Sequence, residues 1–453
     1  MTGTGEIRRP DRIDTFLMLV FLLGIYLEYS PKLAAGIPVP AAPAGVAGLV
    51  MLMRNARRVE ERQFVALAGV IGLYLLSVVS VGDVAHLGER IKGFLQLSYS
   101  LVIGYGAWLT ATLYSRERLA RLFLGFCLFV LVGCVLENYT GFRAVSDAVR
   151  GVLYDAFIYD ATLRDHDLYG GVRPKLFTSE PSHLAFAFTV FAFIWYVLST
   201  RSGKMIGYVA MLGAGMFLMR SPTLVLGFVL ILPYQLLVAG RGARGRVRGA
   251  DAAVIAVVVV TSAALAGVVL AGGQMFSSRM AQAEAGDDAS FFFRAIGPFQ
   301  VALDTIQRHP IAGAGLTGEE YIADRVQEIY VSAAGFNPQW VFDKVAEVLT
   351  NYFWLHWIYL GAVWGVVLLF ALTRMLRMLH APSLAFCWIV WAVMGQAAGA
   401  YVSPKPWAVL MLACAASTLH FYQPVVAGRR AARRPVPRHR RQIREPAAEP
   451  RLL

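Results

Sequence analysis

The chain has 453 residues, of which 57% are hydrophobic and only 16% are charged. Soluble globular domains carry about 25% charged residues, so this composition excludes an ordinary water-soluble protein. The formal net charge of +13 comes from arginines that cluster in a few connections, which indicates a basic membrane face rather than a nucleic-acid-binding surface.

Apolar segments recur along the chain, and most are long enough to cross a hydrocarbon core about 30 Å thick. We therefore predict an all-α polytopic integral membrane protein with about twelve transmembrane helices. Pro38, Pro40 and Pro43 interrupt the second segment, and the seventh segment is short. The predicted spans are 13–30, 33–53, 64–82, 94–114, 119–139, 181–199, 204–219, 222–239, 252–272, 347–372, 383–402 and 406–423.

Arginine occupies alternate connections between these spans, and the positive-inside rule places those connections and both termini in the cytoplasm. We predict a membrane domain over residues 1–427 and a basic, disordered cytoplasmic tail over 428–453. The tail either touches anionic lipid headgroups or only anchors the topology. Residues 140–180 and 273–346 then form two long periplasmic loops. The basic clusters are Arg54, Arg57, Arg58 and Arg62; Arg116, Arg118 and Arg121; Arg201 and Lys204; Arg241, Arg244, Arg246 and Arg248; and Arg374 and Arg377.

The first long loop returns to the membrane through the sequence TSEPSH at 178–183. Ser179 suits a helix N-cap and Pro181 an early helical position, so a helix is expected to begin here. Glu180 and His183 are three residues apart and would share one face at the outer edge of the membrane. Glu180 could take a proton from a sugar hydroxyl, or it could only offset the helix dipole. His183 alone is more often a packed polar residue than a catalyst.

The sequence RSPT at 220–223 predicts a tight outer hairpin between the seventh and eighth spans. A guanidinium fixed at headgroup depth, as Arg220 would be, can clamp a phosphate bidentately. The alternative is a snorkelling arginine that marks the end of a span. Positive charge on the outer side opposes the topology bias, which favours a functional role for Arg220.

The second long loop carries five Lys/Arg and nine Asp/Glu. Apolar residues recur in it at spacings of three and four over 292–306, which predicts an amphipathic helix in the membrane interface. Gly297-Pro298 interrupts the pattern, so the regular part is expected to start at Pro298. Pro310 and the glycines that follow it end the helix in a tight turn. This helix would hold Arg294 near the depth of the lipid headgroups.

The outer segments supply enough positive charge to surround one pyrophosphate. The alternative is that each cation pairs with one of the abundant loop carboxylates. The four cations are Arg173, Lys175, Arg220 and Arg294.

Polar groups within the predicted spans are few. Asn351 and His356, in the tenth span, could bind hydroxyls, although hydrogen bonding between helices is their more common role. Glu28 and Glu137 lie near the outer ends of their helices, and no chain of carboxylates crosses the membrane. A proton- or ion-coupled transporter needs such groups near the midplane, so the pattern favours chemistry at the outer surface. All four cysteines lie inside spans without Cys/His spacing, so no metal site or disulfide framework is expected.

Together these features resemble the O-antigen polymerase and O-antigen ligase family, the polymerases and ligases of bacterial surface polysaccharides. The resemblance covers roughly residues 170–365 and the overall topology, and it depends on the order and membrane placement of the motifs. The matching segments are RPKLFTSEPSHLAF (173–186), similar to the arginine-to-Glu-Pro entry of polymerases; RSPTLVLGF (220–228), similar to the arginine hairpin of ligases; Arg294 with the Pro-x-x-Gly-x-Gly turn in HPIAGAG (309–315); and NYFWLHWIYLGAVWG (351–365).

The resemblance implies a metal-independent, inverting glycosyl transfer without a cofactor on the periplasmic face of the bacterial inner (cytoplasmic) membrane. The expected partners are an undecaprenyl-pyrophosphate-linked glycan donor and acceptor, the lipid bilayer, a chain-length regulator and a flippase, with no nucleic acid. Glu180 would be the candidate base, and Arg220 and Arg294 would stabilise the departing pyrophosphate. The expected substrate-binding residues are Arg173, Lys175, His183, Asn351 and His356.

Two other functions remain open at this point. Ligases of the family, which transfer polymer to lipid A-core, carry a His just before the Asn that opens the span after the long loop. This chain has Thr350 there, which favours the polymerase. The alternative from another class is a lipid-linked oligosaccharide flippase or other transporter, which would need a charged cavity through the membrane.

Overall fold

The regular structure in the described part of the chain is helical. The computed structural model describes residues 9–32, 38–154, 162–239, 292–333, 336 and 345–422. Over these ranges no strand forms apart from one isolated bridge between Lys32 and Pro38. The predicted all-α class is confirmed for these residues, whereas the span at 252–272 and the tail at 428–453 lie outside them.

We number the α-helices of the described residues in chain order. They are α1 (Arg12–Leu27), α2 (Ala42–Arg54), α3 (Glu61–Val79), α4 (Leu87–Ala111), α5 (Arg116–Tyr139), α6 (Phe142–Leu153), α7 (Thr162–Tyr169), α8 (Pro181–Leu198), α9 (Lys204–Met219), α10 (Val225–Val229), α11 (Ile231–Leu237), α12 (Gly297–Arg308), α13 (Ala323–Ser332), α14 (Tyr352–Met378), α15 (Leu384–Gly395) and α16 (Pro404–Tyr422). Short 3₁₀ turns occur at Ala56–Arg58, Pro222–Leu224, Glu319–Ile322 and Val345–Glu347, and a π-helical turn at Phe292–Ile296.

Within the described ranges, four helices are long and apolar enough to cross a membrane: α3, α5, α8 and α14. The shortest of them, α8, has 18 residues and rises about 27 Å at 1.5 Å per residue, which approaches the thickness of a hydrocarbon core. Four further apolar stretches are shorter helices, at Ala42–Arg54, Lys204–Met219, Pro222–Leu237 and Leu384–Gly395.

Three predicted spans are shorter or more broken than their apolar runs. In the second, helix α2 begins only at Ala42, because the preceding prolines cannot donate the backbone hydrogen bonds of a helix. The eighth is divided into a 3₁₀ turn, α10 and α11. The eleventh ends as a helix at Gly395.

Helix α8 is the buried centre of the bundle, packed against α5, α9 and α16. Every one of its residues except His183 is buried. A helix that is apolar all round is stable when protein or lipid surrounds it, and here neighbouring helices cover its faces. The partial exposure of His183 in the first turn therefore marks the place where the bundle opens.

Helix α14 is broken at Gly361, whose backbone (φ 64°, ψ −165°) lies outside the helical region. The turn at 310–315 docks into this break. The carbonyl of Pro310 accepts the N–H groups of Ala362 and Val363 at 2.8 and 2.9 Å, and the N–H of Gly315 donates to Tyr359 at 2.9 Å. Backbone groups that the break would leave unpaired thus find partners in the turn. The two glycine-containing motifs of the sequence fold as one unit.

The two ends of helix α1 differ in charge. At its N-terminal end Arg54 pairs with Asp11 at 2.8 Å and Asp14 at 3.2 Å, and the Arg118 guanidinium donates to the carbonyl of Pro10 at 3.0 Å. Arg54 and Arg118, from two of the arginine clusters that the sequence predicts on one side of the membrane, therefore lie at the same end of α1. Glu28 lies at the opposite end of the same helix.

Candidate functional site

Charged side chains from separate parts of the chain converge at the N-terminal end of α8. Glu28 follows α1, and its Oε2 lies 3.1 Å from Nδ1 of His183 in the first turn of α8. Lys405, in the first turn of α16, forms a salt bridge with the same Glu28 oxygen. Glu180 and Arg294 lie close enough for the arginine to act on the ionisation of both Glu180 and His183. We call Glu28, Glu180, His183, Arg294 and Lys405 the acid–base cluster.

Glu180, rather than Ser179, occupies the N-cap position of α8, which corrects the predicted cap. Pro181 at the first helical position fixes the boundary, and the Glu180 side chain makes no capping hydrogen bond. Its Oε2 accepts a hydrogen bond from the Ser182 hydroxyl at 2.8 Å. The hydroxyl of Ser179 lies instead 3.0 Å from Nδ1 of His183. Both side chains therefore face the cluster rather than the helix end.

The pKa of Glu180 reflects opposing influences. Burial favours the neutral carboxyl, but His183, the Ser182 hydroxyl, Arg294 and Lys405 together outweigh burial and lower the pKa. The carboxylate is therefore ionised at neutral pH. It is a weaker proton acceptor than an isolated glutamate, because its charge is already stabilised by its neighbours.

The segment that leads to Glu180 is strained and tightly held. Leu176 and Phe177 adopt left-handed backbone conformations, with φ of 38° and 67°, which non-glycine residues rarely adopt. The carboxylate of Glu137 accepts the N–H groups of Lys175 and Leu176 at 2.9 and 2.6 Å, and Ser146 accepts that of Phe177 at 3.1 Å. Strain of this kind persists only where surrounding contacts enforce it, and such places are often functional sites.

Arg150 fixes the same segment from helix α6. It is almost fully buried, and its guanidinium donates to the carbonyls of Thr178 at 2.7 Å and Ser179 at 3.0 Å. Asp147 pairs with it one helical turn earlier, at 2.5 Å. The position of the Glu180 backbone therefore depends on Arg150.

The backbone of Arg294 is anchored by the start of α14. The Asn351 amide donates to the carbonyl of Arg294 at 2.7 Å, and the Thr350 hydroxyl donates to the carbonyl of Phe293 at 3.1 Å. The Oδ1 of Asn351 accepts the N–H groups of Phe353 and Trp354 and so caps α14. Asn351 is fully buried, and its contacts position Arg294 rather than leave an amide open to substrate.

Arg173, Lys175 and Arg220 lie along the same loop with partners of their own. The Arg173 guanidinium pairs with Asp165 at 2.9 Å and stacks over the ring of Tyr169. Arg220, in a left-handed conformation at the end of α9, donates to the carbonyl of Tyr169 at 3.0 Å. The Nζ of Lys175 lies 4.0 Å from Asp147. Arg173 and Arg220 therefore both contact Tyr169, while Arg294 acts on the ionisation of Glu180.

His356 lies in the packed interior. Its Nε2 faces the carbonyl of Gly365 at 3.1 Å, and its Nδ1 faces the hydroxyl of Tyr401 at 2.9 Å. Tyr401 in turn bonds to Tyr74 on α3 at 2.6 Å. These contacts correspond to the interhelical hydrogen bonding that the sequence left as the alternative to substrate binding.

Helix α12 confirms the amphipathic helix predicted from Pro298. Its buried side consists of small or short residues, chiefly Val301, Ala302 and Thr305. The apolar side chains of Phe299 and Leu303 are instead exposed. Such a helix presents an apolar face outward, as expected for a helix at a membrane surface.

Sequence reasoning missed three residues of this region. It noted Glu28 only as a charge near the end of a span, and it gave no role to Arg150 or Lys405. Lys405 had a usable signal, because it is a cation at the predicted outer end of a span, which opposes the topology bias in the way Arg220 does. Its pairing with Glu28, 377 positions earlier, has no local signal.

Two cavities lie away from the acid–base cluster in the described part of the chain. A groove of about 780 Å³ between α1 and α5 is lined mainly by apolar side chains, with Arg118 and Arg121 among them. A smaller pocket of about 230 Å³ between α12 and α13 is lined by polar residues that include Asp304 and Arg325. In the described ranges no group of three His, Cys, Asp or Glu side chains is arranged to hold a metal ion.

The segment before α13 is tied to α14 by the buried carboxyl of Glu319, whose ionisation should affect stability. The Tyr359 hydroxyl donates to Glu319, and burial raises the pKa of Glu319 despite that hydrogen bond. A raised folded-state pKa means that the stabilisation is complete at pH values below the ordinary pKa of about 4.5 and is lost as pH rises through the folded-state value. We therefore expect Glu319→Gln, which keeps an acceptor for Tyr359 without charge, to raise the thermal midpoint at pH 8 but not at pH 4.5.

Thermal unfolding of the purified protein in detergent at both pH values checks this expectation. Glu320→Gln is the matched control: Glu320 is exposed, so this variant should have the same midpoint as the wild-type protein at each pH. An equal change for Glu319→Gln at both pH values would show that Glu319 does not titrate with folding.

No family model matches the chain, and no curated protein or solved structure matches it. Its class is accordingly defined by its own structure: a helical protein with apolar helices long enough to cross a membrane and a cluster of acidic and basic side chains at one end of its central helix.

Proposed function

We propose that the protein is a polysaccharide polymerase in the bacterial inner membrane. It joins undecaprenyl-pyrophosphate-linked oligosaccharide repeat units on the periplasmic face by inverting, metal-independent glycosyl transfer, in the synthesis of O-antigen, capsule or exopolysaccharide. The observation that carries the proposal is the acid–base cluster, in which two carboxylates, an imidazole and two cations meet at one end of α8.

The proposed topology has about twelve spans with both termini in the cytoplasm. Support comes from the opposite ends of α1: arginines of two connections lie at one end, and the acid–base cluster lies at the other. The positive-inside rule makes the arginine-rich end cytoplasmic, so the cluster faces the periplasm. Lipid-linked repeat units on that face would reach it from the bilayer.

The residues of the cluster divide into two chemical roles in this proposal. A base takes the proton of the acceptor hydroxyl, whose oxygen attacks the anomeric carbon of the donor sugar as the bond to the pyrophosphate oxygen breaks. Glu180 and His183 are the proton acceptors that the cluster offers. Arg294 and Lys405 offset the negative charge that develops on the departing pyrophosphate. Arg173 and Arg220, around Tyr169, are the proposed contacts for the rest of the lipid-linked substrate, with Lys175 beside them.

Two observations favour the polymerase over the rival functions. The position that holds His in ligases is Thr350, and its hydroxyl is bonded to the carbonyl of Phe293, where it holds the backbone beside Arg294. A flippase or transporter would need charge along the membrane interior. Beyond its first-turn histidine, the central helix α8 carries no charged residue, and its polar side chains are those of Thr189, Trp195 and Tyr196.

The accumulated intermediate in a deletion strain tests the proposal. Loss of a polymerase leaves single repeat units on surface lipid or in the medium. Loss of a ligase would leave long polymer on the carrier lipid, and loss of a flippase would leave single carrier-linked units facing the cytoplasm. Complementation with the full chain should restore polymer, and either of the other two accumulation patterns would overturn the proposal.

A further inference from the structure

His183 occupies an unusual place among the histidines of the bundle. It is the one residue of α8 that is not buried, and 32% of its side chain is exposed. The contacts described for its ring all fall on Nδ1, which lies 3.1 Å from Glu28 Oε2 and 3.0 Å from the Ser179 hydroxyl. His356, in contrast, has both ring nitrogens within hydrogen-bonding distance of partners and is only 1% exposed.

The neighbours of Nδ1 determine which ring nitrogen carries the proton. The Lys405 ammonium group donates to Glu28 Oε2 in a salt bridge, so this oxygen, which also faces Nδ1, is a hydrogen-bond acceptor. An ionised carboxylate can only accept hydrogen bonds, so the Nδ1 atom that faces it must be the donor. In a neutral ring the lone pair then lies on Nε2. Among the described residues, Nε2 of His183 has no hydrogen-bond partner.

We propose that His183 Nε2 is the base of the reaction and that Glu28 is the positioning residue that holds its ring; this rests on the proposed polymerase function. The O–H bond of the acceptor sugar breaks, and its proton passes to Nε2. The oxygen forms a new bond to the anomeric carbon, while the bond from that carbon to the pyrophosphate oxygen breaks and its electron pair leaves with the pyrophosphate. The resulting imidazolium is stabilised by the Glu28 carboxylate.

Glu180 is the weaker candidate for the same role. Its Oε2 already accepts the Ser182 hydroxyl, and its neighbours lower its pKa despite burial. Four charged groups face His183: Glu28 beyond α1, Glu180 before α8, Arg294 before α12, and Lys405 on α16. Burial and the two cations oppose proton uptake by the ring, and the two carboxylates favour it, so Glu180 assists through its charge.

The His183→Asn variant distinguishes between two roles of His183, a catalytic base and a residue that only supports the structure. The asparagine amide can still donate a hydrogen bond to Glu28 near the place of Nδ1, but it has no atom that replaces the basic Nε2. In a complemented deletion strain we expect His183→Asn to lower the rate of polymer formation by at least about 100-fold, at normal protein level in the membrane. If the wild-type chain makes polymer and this variant makes nearly as much, the role of His183 is overturned while the proposed polymerase function stands. Absence of polymer with the wild-type chain would instead overturn the proposed function, and the catalytic role with it.

The pH dependence of polymer formation tests the role of Glu28 separately. The periplasmic face follows the external pH, and His183 must be unprotonated to act. Polymer formation should therefore rise with pH, and Glu28→Gln should move the midpoint to lower pH and reduce the maximum, because the ring loses the carboxylate that favours its protonation. Glu60→Gln is the matched control, since Glu60 pairs with His380 at the surface, at 3.8 Å. An unchanged midpoint for Glu28→Gln would contradict the positioning role.

Acylation by diethylpyrocarbonate tests, without any substrate, whether Nε2 of His183 is accessible and able to react. Mass spectrometry of the purified full chain should show rapid modification of His183 and of the exposed His380, and little modification of the buried His356. Glu28→Gln should move the pH midpoint of His183 modification downward, while Glu60→Gln should not. Modification of His183 as slow as that of His356 would show that Nε2 is not available as a base.

Discussion

Replacement of Arg294 with alanine is expected to lower polymer formation by about 10²–10³-fold, because a preorganised group that stabilises charge in a transition state commonly contributes that much. Arg294 acts on the ionisation of Glu180 and His183, and in the proposed reaction it stabilises the departing pyrophosphate. Its backbone is held by Asn351 and Thr350 through its own and the preceding carbonyl. These backbone contacts do not involve the side chain, so they remain in the variant, whose level in the membrane is measured together with its polymer.

The length distribution of surface glycan in a complemented deletion strain measures this effect. Arg308→Ala is the matched control, because Arg308 is an exposed arginine at the end of α12, paired with Asp304 on the same helix. It should leave polymer unchanged. Arg294→Lys keeps the charge without the planar fork, so it should retain part of the activity. Normal polymer from Arg294→Ala would remove Arg294 from the site.

Replacement of Gly361 with alanine is expected to prevent accumulation of the folded protein. Its backbone conformation is essentially restricted to glycine, and enforcing it on another residue costs about 1–3 kcal/mol. An added Cβ would also lie 2.6 Å from the carbonyl oxygen of His309 and 2.8 Å from the nitrogen of Gly313. Both are backbone atoms of the docked turn and cannot move without breaking its hydrogen bonds to α14. The combined destabilisation should exceed about 3 kcal/mol, a large part of typical protein stability.

Size-exclusion chromatography of a fluorescent fusion in detergent, with a thermal midpoint, measures the loss. Gly125→Ala provides the control, because Gly125 lies within α5 and an added Cβ there meets no atom within 4 Å. That variant should be neutral or more stable by about 0.5–1 kcal/mol. A Gly361→Ala protein with wild-type yield and midpoint would show that the turn does not depend on this close approach.

Local sequence patterns predicted most helices, but they did not predict that the turn at 310–315 supplies hydrogen bonds at the break in α14. Helices α5, α8 and α14 follow directly from their apolar runs, and α12 from its spacing and from Pro298. The glycines of the turn and Gly361 were visible as separate motifs. Their mutual docking was not, because it consists of backbone hydrogen bonds between segments about 50 residues apart.

The sequence predicted only part of the candidate site, because the other contacts join segments that lie far apart in the chain. Glu180 and His183 share one helix start, so spacing alone brought them together, and membrane depth brought Arg294 near them. Glu28 and Lys405 join the cluster only through contacts between α1, α8 and α16, which no local spacing encodes. Arg150 looked like an ordinary loop charge, and only its burial beneath Thr178 and Ser179 reveals its role.

Reconstitution tests the central claim most directly. Carrier-linked single repeat units extracted from the deletion strain would be added to liposomes that contain the purified full chain, and products would be separated by mass. We expect a ladder of glycans with two or more repeat units and the release of undecaprenyl pyrophosphate, and neither product with the Arg294→Ala protein. Repeat units that remain single, whether or not they cross the bilayer, would contradict the assignment as a polymerase.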